Sequence, residues 1–308
     1  MQDSALHANG QRSVNKVFGV ARRVYDFNRR YPVLPAALLV VLIAAAILAP
    51  FIAPYDPIAQ DLRARNAPPA WDRKWYEEHP RVEKTYLLGA DHVGRDILSR
   101  ILHGARISMI VAGVSLGSGL AVGFSLGLIA SYYGGWIDEL IMRIVDVWLA
   151  VPFLLIALVV AVVVGQSFGT VMGLLALLAW TAFVRNVRAE VLTLKTRDYV
   201  AYARLSGASD IRIIVRHLIP GVTSIVVVVA TLRVGQLILA EASLSFLGAG
   251  IPSPTPAWGL MVSEGRQYLD IAWWTSVFPG MAIFLTVMSL NFLGDWLRDH
   301  FDPRLRQI

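Results

Sequence analysis

The chain has 308 residues, 56% of them hydrophobic and 16% charged, with a net charge of +6 and no cysteine. About a quarter of a typical soluble domain is charged, so this composition excludes an ordinary water-soluble globule, and the missing cysteines exclude disulfide and thiol chemistry. The basic excess lies between apolar runs and at the chain ends, the pattern of membrane orientation rather than of nucleic-acid binding.

Residues 1–32 form a polar arm carrying Arg12, Lys16, Arg22, Arg23, Arg29 and Arg30. It is expected in the cytoplasm, in part as an amphipathic helix on anionic membrane lipid. Its basic stretch is too long for a cleaved signal peptide and further spans follow, so the first apolar run reads as an uncleaved helix. Apolar runs of about 18 residues can cross a hydrocarbon core about 30 Å thick. Six stand out: 33–53, 107–133, 147–165, 168–185, 222–248 and 271–294, the fourth being the shortest. The expected fold is therefore all-α and polytopic, with about six transmembrane helices.

An even number of spans returns both termini to one side. Arg298, Arg304 and Arg306 in the tail 298–308, and the Arg-rich stretch 185–221, place that side in the cytoplasm. The segment 54–106 is then extracytoplasmic, and 107–297 is a core of five further spans. Within the second span, Gly119, Gly123 and Gly127 recur every four residues after Gly113 and Gly117. Such spacing clears a helix face for close backbone approach, either inside this chain or against a second membrane subunit.

No G-x-x-x-x-G-K-[ST] phosphate loop occurs, no H-E-x-x-H occurs, and the six histidines are scattered. Nothing supports catalysis by this polypeptide. The segment 197–220 is more telling. Tyr199, Val200, Tyr202 and Ala203 offer an apolar surface beside Arg204, with Asp198 and Ala201 around it. Gly207 suits a left-handed turn after that helix, followed by Ala208, and Ser209 or Asp210 is placed to cap a second one. Ile211, Ile214, Val215 and Leu218 then repeat at helical spacing until Pro220 is expected to stop the run. A helix of this kind is a docking element for another protein, the competing reading being an interfacial helix on lipid.

Arg233 falls about 18 Å into the fifth span, where a charge must face protein or water. Gln236 lies one turn on and Glu241 two turns on, too far for a direct ion pair along one helix. Lining of a pathway and a structural contact with another helix are both open for this polar group.

From about Leu88 onward the chain resembles the permease family of bacterial binding-protein-dependent ABC importers, in particular the C-type subunit of the dipeptide, oligopeptide and nickel class. The cytoplasmic stretch matches the family's coupling motif at Ala203, Gly207 and Pro220. Further likeness runs through Leu88-Gly89-Ala90-Asp91, Gly94-Arg95-Asp96, Ser99-Arg100 and Gly104-Ala105-Arg106. It continues in Glu241-Ala242-Ser243-Leu244-Ser245-Phe246-Leu247-Gly248, Trp258-Gly259, Trp273-Trp274, Pro279-Gly280, Gly294-Asp295 and Asp302-Pro303-Arg304. The coupling motif usually opens with an acid and two alanines; here Ala201 and Tyr202 occupy part of that place, and Arg233 stands where the family is apolar or small.

The resemblance implies half of a transmembrane pathway for di- or oligopeptides in the bacterial inner membrane. It implies a second homologous permease, two ATPase subunits that hold ATP and magnesium, and an extracytoplasmic substrate-binding protein. This chain then binds no cofactor and has no ATPase site. Residues 198–210 would seat in an ATPase cleft, and 54–106 and 249–272, with Trp71, Trp75, Trp258, Trp273 and Trp274, would meet the binding protein. The alternatives are the same importer class carrying nickel or another small solute, and an ion-coupled secondary transporter working without ATP. A membrane enzyme ranks below both.

Overall fold

The computed structural model describes residues 32–301, so the basic arm and most of the tail lie outside the described residues. What is described is helical apart from turns, loops and one isolated bridge between Ala90 and Asp96. The helices are α1 (Val33–Ile52), α2 (Arg73–Glu78), α3 (Ile97–Tyr133), α4 (Gly135–Ala150), α5 (Phe153–Val163) and α6 (Phe168–Leu194). They are followed by α7 (Asp198–Leu205), α8 (Asp210–Ile213), α9 (Ile219–Phe246), α10 (Trp258–Gly265) and α11 (Trp274–Phe301).

Five of these elements are long and apolar enough to cross a membrane, with α4 and α5 together making a sixth if counted as one bent span. α3 and α6 pack along most of their length because glycine removes the side chains between them. A Cβ on Gly123 would meet Phe183 Cβ at 2.7 Å, and one on Gly127 would meet the Val184 carbonyl at 2.8 Å. These glycines, with Gly119, thus serve packing inside the chain, whereas Gly113 and Gly117 look onto open space. α9, α11 and α1 complete the bundle around buried Val111, Leu175, Leu237 and Leu244.

Several boundaries differ from those the apolar runs suggest. α3 begins at Ile97, ten residues before the expected start at 107, because Asp96 caps it through the Ser99 amide at 2.8 Å. The run 147–165 is not one helix: α4 and α5 meet at an 80° bend. Pro152 brings no amide hydrogen and drives Val151 into extended backbone, so the helical ladder stops there. The weakest run, 168–185, belongs to an unbroken helix reaching Leu194, and α11 continues past 297 to Phe301.

Pro220 does not stop the helix it follows. A π turn over Ile214–Leu218 widens the coil, Ile219 donates to the Ile214 carbonyl, and the proline sits in the first turn of α9. α8, the π turn and α9 thereby form one continuous 37-residue helix, Asp210–Phe246.

Candidate functional site

At the end of the bundle where α6 finishes, α7 and α8 form a compact helix–turn–helix. Gly207 has φ +77°, the left-handed geometry that a β-branched residue resists, and a Cβ there would meet nothing within 4 Å, so the constraint is the backbone conformation and not space. Val200, Ile213 and Leu218 point inward and are fully buried with Val187, Val191 and Tyr132. Ala203 and Ala208 close the edges of that cluster.

Neither Ser209 nor Asp210 caps α8 with its side chain, contrary to expectation. Asp210 instead accepts a hydrogen bond from the Tyr132 hydroxyl at 2.5 Å, tying the element to the end of α3. Lys195 completes the tie: its ammonium donates at 2.8 Å to the carbonyls of both Ser131 and Tyr132, the unsatisfied end of α3. Burial, and then the Arg204 charge, hold the Lys195 pKa below its ordinary value. Arg204 itself lies over the Tyr132 ring, 5.8 Å from its centroid.

The expected single apolar surface of α7 is therefore split. Val200 and Ala203 face inward, while Tyr199 and Tyr202 face out beside exposed Asp198 and Ala201. Leu205 is 84% exposed and Tyr202 67%, and Ile211 and Val215 continue this outward apolar surface beyond the turn.

Deep in α9, the Arg233 guanidinium donates to the Gln236 amide oxygen at 2.7 Å. Glu241 is not brought to it. It is buried on another face, where one carboxylate oxygen accepts from Ser245 at 2.8 Å and the other is unpartnered.

The opposite end of the bundle holds a network that sequence reasoning left without a role. Arg95 binds Asp91 at 2.6 Å and Glu264 at 2.7 Å, and Arg100 binds Glu264 at 3.0 Å and approaches Asp91 at 3.4 Å. The quartet pins the segment before α3, the first turn of α3 and α10 to one another. Asp91, His92 and Glu264 place ligand atoms within 4.8 Å of one another, but the two guanidinium groups already neutralise those carboxylates and His92 stacks flat on Tyr268. It is an ion-pair lock. The four-residue separation of Asp91 and Arg95 is the one signal the sequence offers for this lock; nothing in it points to Glu264.

Two tryptophans expected at a partner surface are likewise structural. Trp258 and Trp274 are buried, and their indole N–H groups donate to the carbonyls of Ile101 and Ala90. Trp71 and Trp273 remain exposed.

A bundle with five helices long and apolar enough to cross a membrane, and two short helices joined by a tight turn at one end, is the build of a polytopic membrane protein. Residues 119–307 match the family described as binding-protein-dependent transport system inner membrane component, and the chain belongs to that family. Residues 32–69 match the N-terminal transmembrane domain of oligopeptide transport permease C, so this is an ABC importer permease of that peptide-transporter class and an inner-membrane protein.

Among its relatives is the glutathione transport system permease protein GsiD of Pectobacterium atrosepticum, 42% identical over 91% of this chain and 89% of that protein. GsiD of Escherichia coli is 43% identical over the same shares. The methionine ABC transporter MetNI, solved in inward-facing conformations, shares the fold with a TM-score of 0.54 at 21% identity, over 66% of this chain and 96% of that one.

Proposed function

We propose that this chain forms one half of the transmembrane pathway of an ATP-driven importer of short peptides, and that α7, the Gly207 turn and α8 are its seat for an ATPase subunit. The observation that carries the reading is the two-sided build of that element. Its inner side is locked by Val200, Ile213 and the Tyr132–Asp210 bond, while Tyr202, Leu205 and Ile211 stand out in an exposed surface. Exposed apolar side chains on a rigid, polar-rimmed helix are what a groove in a partner receives.

In this reading Asp198, Tyr199, Ala201, Tyr202, Ala203, Arg204, Gly207, Ala208, Ser209 and Asp210 make or shape the contact. The Tyr202 ring takes the place of a small residue at its centre. A second homologous permease supplies the other half of the pathway, two ATPases bind ATP and magnesium, and an extracytoplasmic binding protein delivers the solute. Both termini and α7 lie in the cytoplasm. ATP closes the ATPase dimer and favours one of two packed arrangements of the whole assembly. The names of the GsiD relatives support a small peptide such as glutathione as the solute.

The test is affinity purification of the tagged chain from native membranes with mild detergent, followed by uptake in reconstituted vesicles. The wild type is expected to bring down a second permease, ATPases and a binding protein. Tyr202→Asp with Leu205→Asp is expected to lose the ATPases while keeping the second permease. Gly207→Val is expected to abolish uptake while the chain stays in the membrane. Full transport after ATP depletion, with the chain recovered alone, sinks the proposal in favour of a secondary transporter.

A further inference from the structure

Arg233 lies near the middle of α9, about 21 Å from its start and about 20 Å from its end at 1.5 Å per residue. A guanidinium at that depth is costly unless it faces water or an opposite charge. Among the described residues no carboxylate lies within 4.0 Å of it, and its hydrogen-bond partner is the neutral amide of Gln236. The acid nearest along the helix, Glu241, is buried and held by Ser245.

A second observation shows which way the charge looks. Arg233, Gln236, Ala240 and Ser243 follow one another at steps of three and four residues, so they share an arc of about 80° on the helix. Glu241 sits about 120° away from the centre of that arc. Gln236 and Ser243 are exposed and Arg233 and Ala240 half-buried, so this polar stripe is open from mid-depth to the outer part of the helix. Lipid would not be offered such a face, because the charged guanidinium has N–H groups beyond the one given to Gln236, and these would lie unsatisfied in hydrocarbon.

We infer that Arg233, with Gln236 beside it, is a carboxylate-recognising station on the pathway face of α9, and that the solute passes with a carboxylate presented to it. The inference rests on the importer reading and sharpens it: a solute without a carboxylate gains nothing from this position, whereas a peptide with a free C-terminus does. Gln236 orients the planar guanidinium fork, leaving its remaining N–H groups for a two-point contact with carboxylate oxygens.

The experiment uses the complex co-purified from native membranes, reconstituted in vesicles and fed radiolabelled glutathione through its binding protein. Arg233→Gln, recovered with its partner subunits in wild-type yield, is expected to cut import by about tenfold or more, the loss of a charge-assisted hydrogen bond. Arg233→Lys is expected to restore most of that import, since the charge is kept. Undiminished import by Arg233→Gln overturns this inference alone. Failure of Arg233→Gln to co-purify with the second permease also overturns it, by showing that the guanidinium pairs across the permease interface. Failure of the wild type to import glutathione sinks the small-peptide reading and this inference with it.

Discussion

Asp210 spends its carboxylate on Tyr132 rather than on the amides of its own short helix, which adds one hydrogen bond to the apolar packing that holds the α7–α8 element on the bundle. A hydrogen bond to a charged group contributes about 1.5–3 kcal/mol. Tyr132→Phe keeps the buried ring and removes only that bond, so amide exchange over residues 198–213 is expected to quicken while the rest of the chain is unchanged. Equal protection in the two proteins would show that the apolar cluster alone holds the element. The Asp91–Arg95–Arg100–Glu264 lock is the corresponding residue-scale feature at the other end. Arg100 is fully buried, and Arg100→Leu leaves Glu264 and Asp91 short of a counter-charge. Removing one partner of such a buried set costs about 3–5 kcal/mol, expected as a lower thermal midpoint in detergent.

The break between α4 and α5 shows how one imino acid reshapes an element. Its cause is local, at Val151–Pro152, so Pro152→Ala should let the helix run through. Spin labels on exposed Leu140 and Val162 are then expected to move apart by about 8 Å, the difference between a straight rod and one bent by 80°. An unchanged separation would place the origin of the bend in packing against α6, where Arg188 binds Asp138 and Arg185 binds Asp146, each at 2.6 Å. The apolar run 147–165 was legible in the sequence, but the bend was not, because membrane helices tolerate proline when neighbours satisfy the freed backbone. Pro220 misleads in the opposite sense. A π turn absorbs it, and periodicity of apolar residues carries no sign of that wider coil.

For the whole molecule, the helical bundle, the family and the two short helices joined at Gly207 could be read from the chain, since long apolar runs and the segment around Gly207 are local signals. What escaped reading depends on contacts between distant residues. Glu264 meets Arg100 across 164 positions, and Trp258 turns inward to Ile101 across 157. The split of α7 into a buried side and an exposed side likewise needed the end of α3 to be in place. The unbroken helix from Asp210 to Phe246 joins these two ends. At 1.5 Å per residue it is a strut about 55 Å long, and a tilt of about 10° around its middle would carry its tips about 5 Å in opposite directions. Arg233 sits near that fulcrum. In the importer reading proposed above, a push on the Asp210 tip would travel as leverage, opening a gap at one mouth as it narrows the other, while the pivot and whatever is held beside it would stay almost still.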